Sequence, residues 1–352
     1  KRFEVNTVKP TRLIDKTWFR YIINTIAVLL AFGLLVLLTG PTGEGGLLNK
    51  YMSQIFIPMG INIILAVSLN LTAGFLGQLP LGHAGFMSVG AYAAALFSIH
   101  TDFPKAISFP LSLIVGGIVA AIFGILIGLP ALRLKGDYLA IITLGFGEII
   151  RVIILNIPKI TGGAYGLKGI PKDTTVISTF VCVVITLFLI HALIKSRHGR
   201  AIISIREDEI ASEASGIPTT YYKVTTFSFS AFFAGIAGGL YAHFIGVLDP
   251  AEFGFMRSVE ILVMVVLGGM GSIIGSVVAA GALTVLPEVL RGFSEYRMVV
   301  YSLLLIVVMV FKPSGLFGRY DFSLCGAASD IAKAIKKLTH RNKLGIHEEA
   351  GK

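Results

Sequence analysis

The sequence predicts an all-α polytopic membrane protein with about eight to ten transmembrane helices, both termini cytoplasmic, and three observations carry that reading. The 352 residues are 55% hydrophobic and only 14% charged, with a mean hydropathy of +0.82, whereas soluble domains are about 25% charged. The apolar residues gather in runs near the length of a bilayer span. The 40 glycines have no collagen period and fall inside those runs, as close helix packing in lipid requires. Cys182 and Cys325 sit in unlike settings, one in an apolar run and one in a charged tail, and imply no disulfide framework.

A spanning helix needs about 20 predominantly apolar residues. Candidates lie at Tyr21–Thr39, Ile55–Thr72, Ala84–Ile99, Pro110–Ala131, Tyr138–Ile157, Thr175–Ile194, Val224–Gly246 and Met298–Phe311. Tyr21–Thr39 has the length of a span and no clear small-residue cleavage site, so it reads as a membrane helix and not a signal peptide. Between the last two candidates lies Val259–Leu290, interrupted by Gly268-Gly269-Met270-Gly271. That stretch is too long for one helix and short for two. A broken helix or hairpin is expected, tolerated only where protein or a watery cavity covers the freed backbone. Two short passes there give ten crossings; a re-entrant dip gives eight.

Charge supplies the expected orientation. Segments 1–20, 131–137, 195–223 and 312–352 hold 21 of the 30 basic and 11 of the 20 acidic residues, so the remaining charges cancel and the whole net charge of +10 lies in these four. The positive-inside rule places all four in the cytoplasm. The expected division is a basic N-terminal segment (1–20), a transmembrane domain (21–311) carrying a cytoplasmic coupling loop (195–223), and a basic C-terminal tail (312–352). A pI of 9.6 also raises nucleic-acid binding, but the basic residues flank apolar spans and form no basic face. The expected surroundings are a lipid bilayer and no nucleic acid.

Catalytic signatures are missing: no G-x-x-x-x-G-K-[ST], H-E-x-x-H, C-x-x-C or G-x-S-x-G occurs. The seven His residues show no metal-ligand spacing, and His83, His191 and His243, in or beside apolar runs, read as packed or hydrogen-bonded. Neither an enzyme nor a metal site is expected.

Four constellations remain. The first, Gly74-Phe-Leu-Gly77-Gln78-Leu-Pro80-Leu-Gly82-His83-Ala-Gly85-Phe86, holds five residues that make a continuous helix costly. Unwound backbone of this kind lines a substrate path or forms a tight turn between helices. The second is Gly268-Gly269-Met270-Gly271-Ser-Ile-Ile-Gly275, in the other half of the chain. Two breaks in corresponding positions point to a translocation pathway formed by Gly74, Gly77, Gln78, Gly82, His83, Gly268, Gly269 and Gly271. Both runs enter the membrane in the same sense, so inverted repeats are not inferred. The third is Leu144-Gly-Phe-Gly-Glu148-Ile-Ile-Arg151, followed by Asn156 and Thr161-Gly-Gly-Ala-Tyr-Gly-Leu. Glu148 and Arg151 share a helix face, and each alone costs about 2.5–3.5 kcal/mol at a membrane centre, so a mutual pair facing protein is expected. Glu260 reads the same way. The fourth is the 195–223 loop, where Ala201, Ile202, Ile205, Ile210 and Ala211 form an apolar stripe opposite charges. A short amphipathic helix is expected, docked in a protein groove or lying on lipid; four acids in Glu207–Glu213 disfavour anionic lipid.

Taken together, L-G-H-A-G-F after G-x-x-G-Q, L-G-F-G-E-I-I-R before T-G-G-x-x-G-L, I-x-I-R-E-D-E-I-A, and M-V-V-L-G-G-M-G-S resemble the LivM-type permease subunits of bacterial branched-chain amino acid ABC importers. The resemblance runs from about Ile55 to Gly318. It implies a multi-pass inner-membrane protein working with a second related permease, two cytoplasmic ATPases and an extracytoplasmic solute-binding protein. ATP and Mg would be bound by the ATPases and no cofactor by this chain. Arg206, Glu207, Glu209, Ala211 and Gly216 would couple to the ATPase, through a version of E-A-A-x-x-x-G with Ile at the second position and one extra residue before the glycine. Pro80 replaces the usual Ser of G-Q-L-S-L-G. The implied cargo is a branched-chain or similar aliphatic amino acid, with amides or urea in related systems. The alternative is a stand-alone secondary transporter or channel, which needs intramembrane ionisable groups; Glu148, Arg151 and Glu260 are the candidates.

Overall fold

Within the described residues the long apolar runs become helices, because in lipid a backbone must satisfy its own hydrogen bonds. The structure, a computed structural model, describes residues 50–290 apart from Asp102 and Lys135, together with positions 302, 303, 306, 310 and 315. The expected span Tyr21–Thr39, most of Met298–Phe311, Cys325 and both basic terminal segments lie outside the described residues.

Helix α1 (Lys50–Asn70) runs directly into a π-helical turn, Leu71–Phe75. Helices α2 (His83–His100), α3 (Lys105–Ala131) and α4 (Asp137–Leu155) follow. After a loop come α5 (Val176–Lys195), α6 (Arg197–Glu207), α7 (Glu209–Ala214) and α8 (Thr219–Ile245). The glycine-broken stretch forms α9 (Phe255–Gly268) and α10 (Ile273–Val289). No β-strand occurs among the described residues, and a lone antiparallel bridge joins Leu167 to Leu248.

Among the described residues, five helices are long and apolar enough to cross a membrane: Gln54–Phe75, α3, α4, α5 and α8. The chain is thus an all-helical, multi-pass membrane protein. Burial separates the centre of the bundle from its edge. Gln54–Phe75 is 78% buried, whereas α4 is 22% buried and turns Ile141, Ile149, Val152 and Ile153 outward, as lipid-facing helices do. The expected hairpin at Val259–Leu290 is present. At about 1.5 Å per residue, its 14- and 17-residue arms are short for a bilayer about 30 Å thick.

Glycine lets the central helices touch backbone to backbone. A Cβ on Gly90 of α2 would lie 2.2 Å from the Cα of Gly235 in α8, and one on Gly116 of α3 would lie 2.6 Å from the Gly90 carbonyl oxygen. Hence α2, α3 and α8 form a small-residue seam.

The 195–223 segment requires a correction. The stripe from Ala201 to Ala211 suggested one amphipathic helix, but Asp208 is extended (φ −155°, ψ 110°) and begins a second. Its side chain accepts from the Ile210 and Ala211 amides at 2.9 and 3.0 Å, so it acts as an N-cap. The break splits the stripe: Ile202 and Ile205 are buried, while Ile210 is 76% exposed and Ala211 is exposed.

Candidate functional site

Both glycine breaks converge on Asn70, the last residue of α1. Its Oδ1 accepts the Gly271 amide at 2.8 Å, and its Nδ2 donates to the Ser272 carbonyl and to Ser276 Oγ, each at 2.9 Å. Asn70 is fully buried, so these bonds satisfy a polar group that would otherwise be costly there. Ser272 also caps α10, accepting from the Gly275 amide at 3.1 Å.

The backbones of the breaks meet directly. A Cβ on Gly74 would stand 2.2 Å from the Gly271 nitrogen and 1.9 Å from Asn70 Oδ1. Gly271 has φ +89°, a region that non-glycine residues rarely enter. Gly268 and Gly275 close the hairpin base, with a Cβ on Gly268 falling 2.5 Å from the Gly275 carbonyl carbon. Gly315 packs on Gly269 in the same way, its Cβ position 2.4 Å from the Gly269 Cα.

The 195–223 segment reaches this point. Arg206, near the end of α6, donates through Nη1 to the Gly74 carbonyl at 2.7 Å. The same nitrogen lies 3.2 Å from the Cβ position of Gly271, and Arg206 Cγ lies 2.6 Å from that of Gly77. Nε and Nη2 donate to Glu207 Oε1 at 3.2 and 2.5 Å. Glu209 turns inward: its Oε1 is 2.7 Å from Nζ of Lys223, whose side chain is 4% exposed. Gly216 (φ +82°) is exposed and ends α7, its amide donating to the Glu213 carbonyl at 2.9 Å.

The remainder of the first break packs on α4. The Leu81 amide donates to Thr143 Oγ1 at 3.0 Å, and a Cβ on Gly82 would be 2.1 Å from the Thr143 carbonyl oxygen. Gln78 is half-buried, with its amide bonded to the Thr72 carbonyl at 3.0 Å. His83 is buried at the start of α2, Nε2 3.0 Å from Ser68 Oγ. His243 is buried too, while His191 is exposed.

Glu148 and Arg151 form the ion pair that their spacing implied, Nε to Oε2 at 2.7 Å. The other oxygen of Glu148 accepts the Phe255 amide at 3.1 Å, at the first turn of α9, where a carboxylate favours the helix dipole. Beside it lies a small cleft lined by Leu81, Gly82, Leu144, Phe255 and Ser258 among others. Glu260 pairs with Arg257 Nη1 at 2.9 Å, and Arg257 Nη2 donates to Asn62 Oδ1 at 2.7 Å. Among the described residues no three His, Cys, Asp or Glu side chains gather as metal ligands would.

Asn62, Asn70, Lys223 and Arg257 were missed in the sequence. Their signal was available: a polar side chain inside or at the foot of an apolar run is costly in lipid and has a partner.

Comparison with known proteins matches residues 51–309 to a family described as the permease component of branched-chain amino acid transport systems. The high-affinity branched-chain amino acid transport system permease protein LivM of Salmonella typhimurium is 40% identical over 290 residues, covering 73% of this chain and 67% of the relative. LivM of Escherichia coli K12 is 39% identical over the same shares. The high-affinity branched-chain amino acid transport system permease protein LivH of Salmonella typhimurium is 36% identical over 126 residues, 35% of this chain and 41% of that protein. No solved structure matches the chain.

Proposed function

The chain belongs to the branched-chain amino acid transport system permease family, and we propose that it is one permease subunit of an ATP-driven importer carrying branched-chain or similar aliphatic amino acids into a bacterial cytoplasm. A second permease of the LivH type pairs with it, two cytoplasmic ATPases drive it, and a solute-binding protein delivers cargo from outside. ATP and Mg belong to the ATPases.

The observation that carries this reading is the path from α7 to the breaks. Ile210 stands exposed on α7, a short helix held by its Asp208 cap. Two residues before that cap, Arg206 bonds the Gly74 carbonyl. A partner seated on α7 therefore acts on the glycine breaks through one helix and one side chain. A stand-alone transporter has no use for an isoleucine held out on such a helix. It would need free ionisable groups, whereas Glu148, Arg151 and Glu260 are each ion-paired.

The opposite end suits the solute-binding protein. The loop between α4 and α5 is pinned by the Leu167–Leu248 bridge and by Thr161 Oγ1, which donates to the Ile154 carbonyl at 2.6 Å. It presents Tyr165 87% exposed.

The test is purification of the tagged chain from its native membrane in mild detergent. Two ATPase subunits and a second permease should co-purify, and the complex should hydrolyse ATP faster with leucine-loaded binding protein. Isolation of the chain alone, with leucine uptake driven by an ion gradient, would refute the importer reading.

A further inference from the structure

We propose that Arg206 is a latch that makes the position of α6 and the closure of the two glycine breaks a single event. The proposal rests on the importer reading above. It goes further by assigning one side chain a positioning role inside the permease instead of a contact with the ATPase.

The geometry is specific to arginine. The Gly74 carbonyl lies where the chain leaves helical geometry, at the π-turn Leu71–Phe75, and Arg206 supplies a charged donor to it at 2.7 Å. The guanidinium fits only because neighbouring positions lack side chains. The Cβ position of Gly77 is 2.6 Å from Arg206 Cγ, and that of Gly271 is 3.2 Å from Nη1. Thus the niche is built from both breaks: Gly74 and Gly77 from one, Gly271 from the other. It exists only while the breaks touch. If they separate, Nη1 loses one wall of its niche; if α6 moves away, the carbonyl loses its donor. Glu207 holds the other edge of the guanidinium at Nε and Nη2, which fixes the plane and leaves Nη1 aimed at Gly74. Planar, forked donation of this kind is what lysine cannot reproduce in full.

The consequence is gating. With the latch closed, the breaks stay together until a force on α6 withdraws Arg206. Without it, the Asn70 bonds still join the breaks, but their opening is no longer tied to α6, and hydrolysis no longer waits for cargo.

The test uses the whole complex in lipid vesicles, with ATP inside and leucine-loaded binding protein outside. Hydrolysis and leucine uptake are measured per assembled complex for wild type, Arg206→Ala, Arg206→Lys, Gly77→Ala and the Arg206→Ala/Gly77→Ala double variant. Arg206→Ala should cut uptake at least about tenfold, while hydrolysis without binding protein rises toward the level wild type reaches only with it. Arg206→Lys should recover part of the uptake. Gly77→Ala displaces the arginine stem and also strains a backbone held at φ +75°, so it should fail in the same direction, and the double variant should be no worse than Gly77→Ala alone, because the contact with Arg206 is already lost there. Wild-type uptake with cargo-dependent hydrolysis in Arg206→Ala overturns the latch, as do losses that multiply in the double variant. Should Arg206→Ala not assemble, Arg206→Lys decides: hydrolysis partly freed from cargo supports the latch, and fully normal gating overturns it. A wild-type complex that hydrolyses no ATP refutes the importer reading and the latch with it, an outcome distinct from gated hydrolysis that ignores Arg206.

Discussion

Asn70 Oδ1 accepts the backbone amide of Gly271 at 2.8 Å, across 201 residues of sequence. One buried amide side chain thereby fixes the end of α1 to the turn between α9 and α10. The α9–α10 hairpin is too short to be held by span length, so its register against α1 is set by side-chain bonds: this one, the two that Nδ2 makes to Ser272 and Ser276, and those of Asn62 to Thr284 and Arg257.

Asn70→Ala should destabilise the subunit by about 2–4 kcal/mol, since it strands a largely buried amide and carbonyl that have no water to replace it. Asn70→Asp should do no better. It keeps the acceptor for Gly271 but faces the Ser272 carbonyl with a second acceptor. Thermal unfolding of the purified complex in detergent, followed by loss of monodispersity, reads the effect. An Asp variant as stable as wild type would show that the Nδ2 bonds contribute nothing.

Glycine content alone does not mark the essential positions; what surrounds each one does. A methyl group on Gly74 meets the Gly271 nitrogen at 2.2 Å, whereas one on Gly145 of α4 meets nothing within 4 Å. Gly74→Ala should therefore force the breaks apart and reduce uptake per complex by tenfold or more. Gly145→Ala should retain uptake and gain up to about 1 kcal/mol of helix stability. Uptake measured beside complex abundance separates the two, and equal behaviour would remove the significance of the contact.

Much of this arrangement was legible in the sequence. Apolar runs marked the helices because lipid leaves a backbone no other choice, and Gly268–Gly271 marked the hairpin because so many glycines cannot continue a span. Glu148 and Arg151 were legible as a pair from their spacing alone. What paired with Asn70 was not, because its partners lie more than 200 residues away and no local pattern encodes them. The break at Asp208 was readable and missed: an aspartate before Glu-Ile-Ala is a capping signal, and counting apolar residues straight through it produced one helix in place of two. The inward turn of Glu209 follows from Lys223 at the foot of α8, a buried cation that needs an anion.

The orientation has a direct test. Helix α5 spans 20 residues, about 30 Å at 1.5 Å per residue, and separates the Tyr165 loop from the α6–α7 segment. With Cys182 and Cys325 replaced by alanine, Tyr165→Cys should react with a membrane-impermeant maleimide in intact cells, and Ser215→Cys only after permeabilisation. Both positions are exposed, so accessibility does not bias the comparison. The reverse pattern would invert the topology and place α7 outside the cell.

The α7 segment separates folding from docking. Reversing Glu209 to Lys would seem to probe an ATPase contact, yet it sets a second cation against Lys223, whose side chain is 4% exposed. Losing one partner of such a pair costs up to about 3 kcal/mol, less than for a fully buried pair because Glu209 retains some solvent screening. Glu209→Lys should therefore lower complex abundance and thermal stability. Glu209→Gln with Lys223→Gln should restore much of both, since no unpaired charge remains. Ile210→Asp is the complementary case. Ile210 is 76% exposed, so within this subunit the change costs little. Against an ATPase groove it removes about 1.5–3 kcal/mol of apolar burial and adds a carboxylate that must be desolvated. The permease should remain folded and inserted while ATPase recovery on purification falls about ten- to a hundredfold. Normal ATPase recovery with Ile210→Asp would move the docking surface off α7, and wild-type stability in Glu209→Lys would remove the structural role of the Glu209–Lys223 pair.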